Sequence, residues 1–455
     1  MVVRKRLIFW LIRAYIRKSG RVIFFSFLAG LIFFFIFLII LRFYANLIPV
    51  YKISIIGVSG AYTKDNLPSF IVEKISRGLT AVDKSGEVKP SVASSWEILN
   101  NGKKYVFHLK NDQYFSDGRK ITSELVNYNF SDVLVERPDA LTVVFKLKES
   151  YSPFLITVSR PLFHAGLVGL GDYKIDDIKL NGDFVQSLTL SSVKNRFDIT
   201  KYVFYPSIEA LKYAYVLGEV TYAVGFDNLR FGNISLEKFN NSVTSKKINY
   251  TKLVTLFYNN NDSILSDKKI RLALSYALPN DYSEGEKVFL PYFPASIYYN
   301  NDLEDKKQDI PHARLLLSAS SLASKSADTQ LKINLSIKTL PKYKTVAQKI
   351  AKNLLKIGVH ISIEETNSIP TNYQIYLGDF ILSKDPDQYQ LWHSDQPRNI
   401  TKYKNLRIDK LLEDGRKIND LNSRRKIYSD FQKFLIDDVP ASFLYFPAEY
   451  EISRK

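Results

Sequence analysis

Residues 77–130 read RGLTAVDKSGEVKPSVASSWEILNNGKKYVFHLKNDQYFSDGRKITSELVNYNF. Three turn signals divide this stretch: Asp83 to Gly86, Asn100-Asn101-Gly102 and Ser116-Asp117-Gly118. Between the last two, Tyr105, Phe107 and Leu109 alternate with Val106, His108 and Lys110, the period of a half-buried strand. The Asn-Asn-Gly turn before it makes that strand one arm of a hairpin. Thr122 is placed as a helix N-cap, with Glu124 where a carboxylate favours the helix amino end. The pattern predicts a helix running through Val126 towards Phe130.

Working back towards the amino terminus, Ile71 to Ser76 reads as a short helix that stops at Gly78. Ser59 to Phe70 is a loop by its Ser, Gly, Asn and Pro content, and Tyr51 to Val58 is a strand. Further back, Val22 to Leu41 is an apolar run with no charge and no proline. As a helix it spans roughly 30 Å, the hydrocarbon thickness of a bilayer. Arg4, Lys5, Arg6, Arg13, Arg17, Lys18 and Arg21 precede it, so the positive-inside rule puts the amino terminus in the cytoplasm. A signal peptide is the competing reading, but the flank RFYANLIPVY offers no clean small-residue cleavage site. Residues 1–21 are expected to form a basic tail or a short amphipathic helix on the inner face.

Towards the carboxyl terminus the pattern alternates between strand and helix, which argues for an α/β fold. Leu331 to Val359 reads as a βαβ unit: a strand at Leu331 to Leu340, a helix with Val346, Ile350 and Leu354 on one stripe, and Gly358 ending it. Val359, Ile361 and Ile363 continue as the next strand, parallel to the first by the crossover rule. Ile408, Leu411 and Leu412 form one apolar stripe, and Ile427, Phe431, Phe434 and Leu435 another.

The first 44 residues hold 8 of the 63 Lys and Arg and none of the 46 Asp and Glu. The rest of the chain therefore carries 55 basic against 46 acidic residues, a net +9, and the high overall pI partly reports the anchor. No basic helix with interleaved aromatics appears, so nucleic acid is not an expected partner. The absence of cysteine excludes disulfides, thiolate metal sites, a cysteine nucleophile and a lipidated cysteine anchor. No pair of histidines stands at metal-ligand spacing, so no metal or other cofactor is expected. No G-x-S-x-G elbow, H-E-x-x-H or Walker loop appears, and an enzyme is not expected.

The order and spacing of these pieces resemble the extracellular solute-binding proteins of the peptide and nickel family, family 5. The resemblance rests on Gly78-Leu79, Pro90, Val92-Ala93, Ser95-Trp96, Asn101-Gly102-Lys103, Tyr105, Phe107, Leu109, Phe115, Asp117-Gly118 and Thr122. It continues through Ser152-Pro153-Phe154, a helix capped by Ser207 and ended by Gly218, LFYNNND from Leu256, SDKKIRLALSYAL from Ser266, and Asn399 to Tyr450. It implies a two-lobed periplasmic-binding-protein-like fold of class II type with an extra small α/β subdomain. Lobe I would cover about 50–255 with the subdomain at 77–165, lobe II about 256–442, and the chain would return to lobe I over 443–455. Hinge crossings are expected near Leu253 to Asn259 and near Phe443 to Pro447.

Tyr373 to Leu382 reads as a strand, and DPDQYQLWHSD follows from Asp385. Asp385 is placed as an N-cap, Pro386 at the first helical position, and Asp387 as reinforcement of the helix amino end. Tyr389, Trp392 and His393 then fall on one helical face. Helices that start at the carboxyl ends of strands line the ligand crevice in open α/β sheets. The expected ligand-binding set is Asp385, Asp387, Tyr389, Trp392 and His393, with Tyr62 from the loop after the first external strand. The competing readings are core packing for Tyr389 and Trp392, capping alone for the two aspartates, and a surface or packing role for His393. In peptide-binding members a carboxylate shortly before the acidic-Pro pair anchors the peptide amine. Here Ile381, Leu382, Ser383 and Lys384 fill that approach, leaving Asp379, Asp385 or Asp387 as substitutes.

The resemblance implies a membrane-tethered substrate-binding component of an ABC transporter. It would capture an oligopeptide or similar small solute outside the cell and engage permease subunits. A receptor or envelope scaffold of the same fold that has lost transport is the alternative.

Overall fold

The computed structural model describes residues 2–45, 52–322 and 333–455. Tyr51, Leu331 and Lys332, which open two of the expected strands, lie outside the described residues. The chain divides into two compact units, Met1–Ile53 with Asn195–Ile199, and Ser54–Lys194 with Thr200–Lys455.

The first unit is dominated by α1 (Val2–Ala45), with a break in helical geometry at Ser19. Residues 2–21 thus belong to this helix rather than to a tail. Leu7–Arg42 is long and apolar enough to cross a membrane, its most apolar 18-residue window reaching a mean hydropathy of 3.0.

The second unit begins within β1 (Lys52–Ser59), at Ser54, and continues through α2 (Ser69–Ile75). A small antiparallel sheet follows, built from β2 (Ala93–Leu99), β3 (Lys104–Leu109), β4 (Val133–Asp139) and β5 (Thr142–Leu147) in the order β2-β3-β5-β4. The alternation read in the sequence is realised here. Tyr105, Phe107 and Leu109 are buried in a core with Phe115, Phe145 and Phe154.

The helix expected after Thr122 does not form. Only one 3-10 turn, Ser123–Leu125, is present, and the Thr122 side chain caps nothing. The sheet takes the groups a helix would need. Ser123 Oγ donates to the Asp139 carbonyl, and Arg137 donates to the carbonyls of Ser123 and Val126.

The large sheet is built from β1 with β6 (Tyr173–Asn181), β7 (Phe184–Ser192), β8 (Asp198–Tyr205), β9 (Tyr222–Phe226), β10 (Ser242–Ile248), β11 (Lys252–Tyr258), β12 (Gly285–Lys287), β13 (Ile333–Thr339), β14 (Val359–Glu365), β15 (Ile375–Ile381) and β16 (Ala441–Arg454). The strand order is β6-β7-β8-β1-β9-β16-β11-β15-β13-β14, with β10 and β12 also on β16. Between β8 and β9 lies α3 (Ile208–Leu217), where Ser207 Oγ accepts the Ala210 N–H and Gly218 closes the helix at φ 85°. That backbone conformation is one glycine adopts without strain.

β16 holds the two lobes together. Its first half, Ala441 to Tyr445, pairs with β11, and its second half, Ala448 to Arg454, pairs with β10. The other connection is Asn249 to Thr251, between β10 and β11. Leu253 to Tyr258, within one expected crossing, pair with β15. Phe446 and Pro447, within the other expected crossing, pair with β12.

Lobe II is covered on both faces, which explains its nearly all-apolar strand β11. In β11, Val254, Leu256 and Tyr258 face one core; Leu253 and Phe257 face the other. The first core lies under α4 (Lys268–Ala277), α5 (Ile310–Ser318) and α6 (Lys344–Leu355). The expected βαβ unit is β13-α6-β14, with the strands parallel and Val346, Ile350 and Leu354 buried. The second core includes the single-turn α7 (Tyr389–Trp392), α8 (Leu406–Lys417) and α9 (Leu421–Asp438).

Candidate functional site

Strands β1 and β9 are parallel and adjacent, and their carboxyl ends open onto a cavity of about 730 Å³. Val58, Ser59, Val224 and Gly225 form its floor, and Tyr62, Phe70, Tyr202 and Tyr222 its apolar walls. Its far side is the β10–β11 crossing, through Asn249, Tyr250 and Thr251. A smaller cavity of about 170 Å³ shares Tyr250 and Thr251 and reaches Leu382, Lys384 and Asp385 of lobe II. Two contacts bridge the lobes around it. The Ile297 N–H donates to the Ser85 carbonyl at 2.9 Å, and Lys384 Nζ lies 3.3 Å from Glu73 Oε1. Aromatic walls and a few polar groups beside a hinge are the usual furniture of a small-ligand site.

A third cavity, about 790 Å³, lies between the small sheet and α8, lined by Phe130, Tyr151, Phe154, Tyr389, Glu413 and Arg416.

The expected site residues separate among these places. Tyr62 lines the first cavity, where its ring lies 5.4 Å from Phe204. Asp385 borders the second and Tyr389 the third. The helix expected to carry the set is shorter than the spacing predicted. Asp385 and Asp387 do not cap it. Asp385 Oδ1 accepts the Asp387 N–H, and Asp387 Oδ1 accepts the Tyr389 N–H, so each closes a local turn. The helix starts only at Tyr389, and His393 is already extended (φ −68°, ψ 136°).

Both aspartates are also held by arginines. Asp385 and Arg424 form a buried pair, and Asp387 Oδ2 lies 3.1 Å from Arg416 Nε. Burial raises the Asp387 carboxyl above its ordinary value, against the pull of Arg416. Trp392 is 1% exposed and donates its indole N–H to Gln388, so its ring belongs to the second lobe II core rather than to a cavity wall. His393 is buried beneath Tyr389, with ring centroids 4.2 Å apart, and its Nε2 lies 3.4 Å from Glu413.

The first cavity carries charge that sequence reasoning missed. Glu449 accepts from Asn249 at 2.6 Å and lies 3.2 Å from Lys252. Glu451 lies 2.6 Å from Lys247 and accepts the Tyr222 hydroxyl. Burial works to raise the Glu451 carboxyl, but Lys247 and Tyr222 outweigh it and hold it below the usual range. Lys74 donates to the Tyr202 hydroxyl at 3.0 Å. Tyr222 and Lys247 sit on strands brought together only by the return of β16, which no local pattern announces. Lys74 had a signal, as the last-turn cation of the expected helix beside the Tyr62 loop. Among the described residues no group of three or more His, Asp or Glu could hold a metal ion.

A sequence model described as "Bacterial extracellular solute-binding proteins, family 5 Middle" matches residues 87–402. Oligopeptide-binding protein AppA of Bacillus subtilis is 26% identical, over 85% of this chain and 83% of that protein. Probable D,D-dipeptide-binding periplasmic protein DdpA of Escherichia coli is 22% identical, over 81% of each. Among solved structures, the ABC transporter substrate-binding protein CtaP of Listeria monocytogenes superposes with a TM-score of 0.73 at 21% identity, covering 89% of this chain and 94% of that one. NikZ of Campylobacter jejuni, solved with Ni(L-His), gives 0.70 at 20% identity, over 89% and 94%. These neighbours share the mixed α/β two-lobed architecture, and they are solute-binding proteins, not enzymes.

Proposed function

This chain belongs to the bacterial extracellular solute-binding proteins of family 5, and from that premise we propose that it captures an oligopeptide or similar small solute outside the cell for an ABC importer, while tethered to the membrane by α1. The family works with ABC permease components, which makes permease subunits the partners on this reading. The observation that carries the reading is the cavity of about 730 Å³ at the carboxyl ends of β1 and β9, set against a strand crossing between lobes. A solute held there touches lobe I directly, and its neighbouring cavity touches lobe II. Closing the lobes over it buries its apolar surface and exposes to a permease a shape the empty protein rarely adopts. No group in the cavity is set up for bond chemistry, so the solute leaves as it arrived. The tether reading is supported by Val22 to Leu41, charge-free and preceded by seven basic residues; by the positive-inside rule the amino terminus would face the cytoplasm and the later chain the outside.

Native mass spectrometry of the full chain, extracted with its membrane from its own cells, tests the proposal. Co-purifying peptides or other small solutes are expected. A protein that emerges empty, and whose scattering profile is unchanged by panels of peptides, sugars and metal chelates, overturns it.

A further inference from the structure

In the cleft most carboxylates already have cationic partners, and Asp83 at the smaller cavity accepts from Ser85 and the Glu87 N–H. Asp379 Oδ1 lies 2.9 Å from Lys342, Asp385 is paired with Arg424, and Asp387 with Arg416. In the large cavity Glu449 and Glu451 are taken by Lys252 and Lys247. Lys74 is different. It lines the same cavity, its Nζ donates to the neutral Tyr202 hydroxyl, and it sits 5.4 Å from the ring centre of Tyr173 and 5.7 Å from that of Tyr202. Among the described residues it has no carboxylate within ion-pair distance. The cavity lining thus holds three lysines against two glutamates, and the unmatched charge is positive.

From this we infer that the cavity takes its ligand by an anionic end, a carboxylate on an apolar body, with Lys74 as the anchor. A half-buried ammonium on an aromatic shelf retains donors that a carboxylate can accept, and such charge-assisted bonds are stronger than neutral ones. The tyrosine and phenylalanine walls suit an apolar or aromatic body beside it. An incoming ammonium would have to displace a lysine or arginine from one of these glutamates or aspartates and leave that cation unpaired. This inference rests on the reading of the cavity as the solute site. A peptide carboxyl terminus and a simple organic acid present the same chemistry.

The test is titration calorimetry on the full chain in lipid nanodiscs. The probes are one tetrapeptide of leucine and phenylalanine in free, N-acetylated, C-amidated and doubly blocked forms, and octanoate. The free and acetylated forms are expected to bind alike. Amidation, or Lys74→Met, should each weaken binding about tenfold or more, without adding to one another, and Lys74→Arg should restore most of the loss. Circular dichroism and melting of each variant confirm that the fold is intact. Equal binding of acid and amide, or loss of binding on acetylation, overturns the carboxylate anchor and leaves solute capture standing. Binding of octanoate alone, dependent on Lys74, supports the anchor and removes the peptide. Binding of none overturns the carboxylate anchor.

Discussion

Arg424 grips Asp385 with two parallel hydrogen bonds, Nη2 to Oδ1 at 2.7 Å and Nη1 to Oδ2 at 3.0 Å, and both side chains are about 95% buried. Arg424 Nε donates to the Gly415 carbonyl, so one side chain ties α8, α9 and the Asp385–Gln388 turn together. The turn that borders the smaller cavity is therefore set by α9, whose residues never reach that cavity's lining.

Removing one partner strands a buried charge. Arg424→Leu or Asp385→Leu should each destabilise the protein by about 3–5 kcal/mol, seen as a lower urea midpoint. The double replacement should lose distinctly less than either single one. Equal losses in all three would show that a stranded charge is not what destabilises the single variants.

Trp392→Ala should act on folding before it acts on binding. Truncating a fully buried tryptophan costs about 3–5 kcal/mol, and Gln388 loses its indole donor. Trp392→Phe keeps most of the volume and should fold. Affinity measured on that variant should match the parent, since the ring faces Phe443 and not a cavity.

Asp438 gives the lobe an acid-sensitive tie. It accepts from Lys268, Tyr403 and Asn405, and although burial works against its charge, these donors hold its carboxyl below the ordinary value. A depressed folded-state pKa adds stability above the unfolded value near 3.9, and that stability is lost as pH falls through the folded value. Asp438→Asn should therefore be less stable at neutral pH, and its unfolding midpoint should vary less than the parent's between about pH 5 and pH 3. Denaturant titrations across that range decide it.

The Lys384–Glu73 contact reports lobe closure. The chain has no cysteine, so cysteines introduced at those two positions take spin labels without competition. A single short distance is expected with saturating solute and a longer or broader one without it. Identical distributions would mean that the lobes do not respond to binding.

The parts of this architecture that sequence could show are those whose physics is local. Tyr105, Phe107 and Leu109 alternate and are buried; Val346, Ile350 and Leu354 recur at helical spacing and are buried; Ser207 and Gly218 bound a helix as capping rules require. The failures share a cause. Thr122 and Asp385 carry good local capping signals, but Arg137 takes the Ser123 and Val126 carbonyls that a continuing helix would use, and Arg424 holds the Asp385 carboxylate. The large cavity was legible only through Tyr62. Its other walls come from α2, β8, β9 and β10, and nothing within a short window indicates that Lys74, Tyr202 and Tyr222 will meet.

Because β16 lies between β9 and β11, both halves of the large sheet stay unfinished until residues 441–454 arrive. Strands made early must wait for a neighbour made much later, so assembly is dominated by contacts far apart along the chain. While it waits, β11 would present a nearly all-apolar edge to its surroundings, a hazard in a crowded envelope. A cell that makes this protein thus has reason to shield the half-built sheet until its central strand is in place, and a nick within that strand would undo both lobes together.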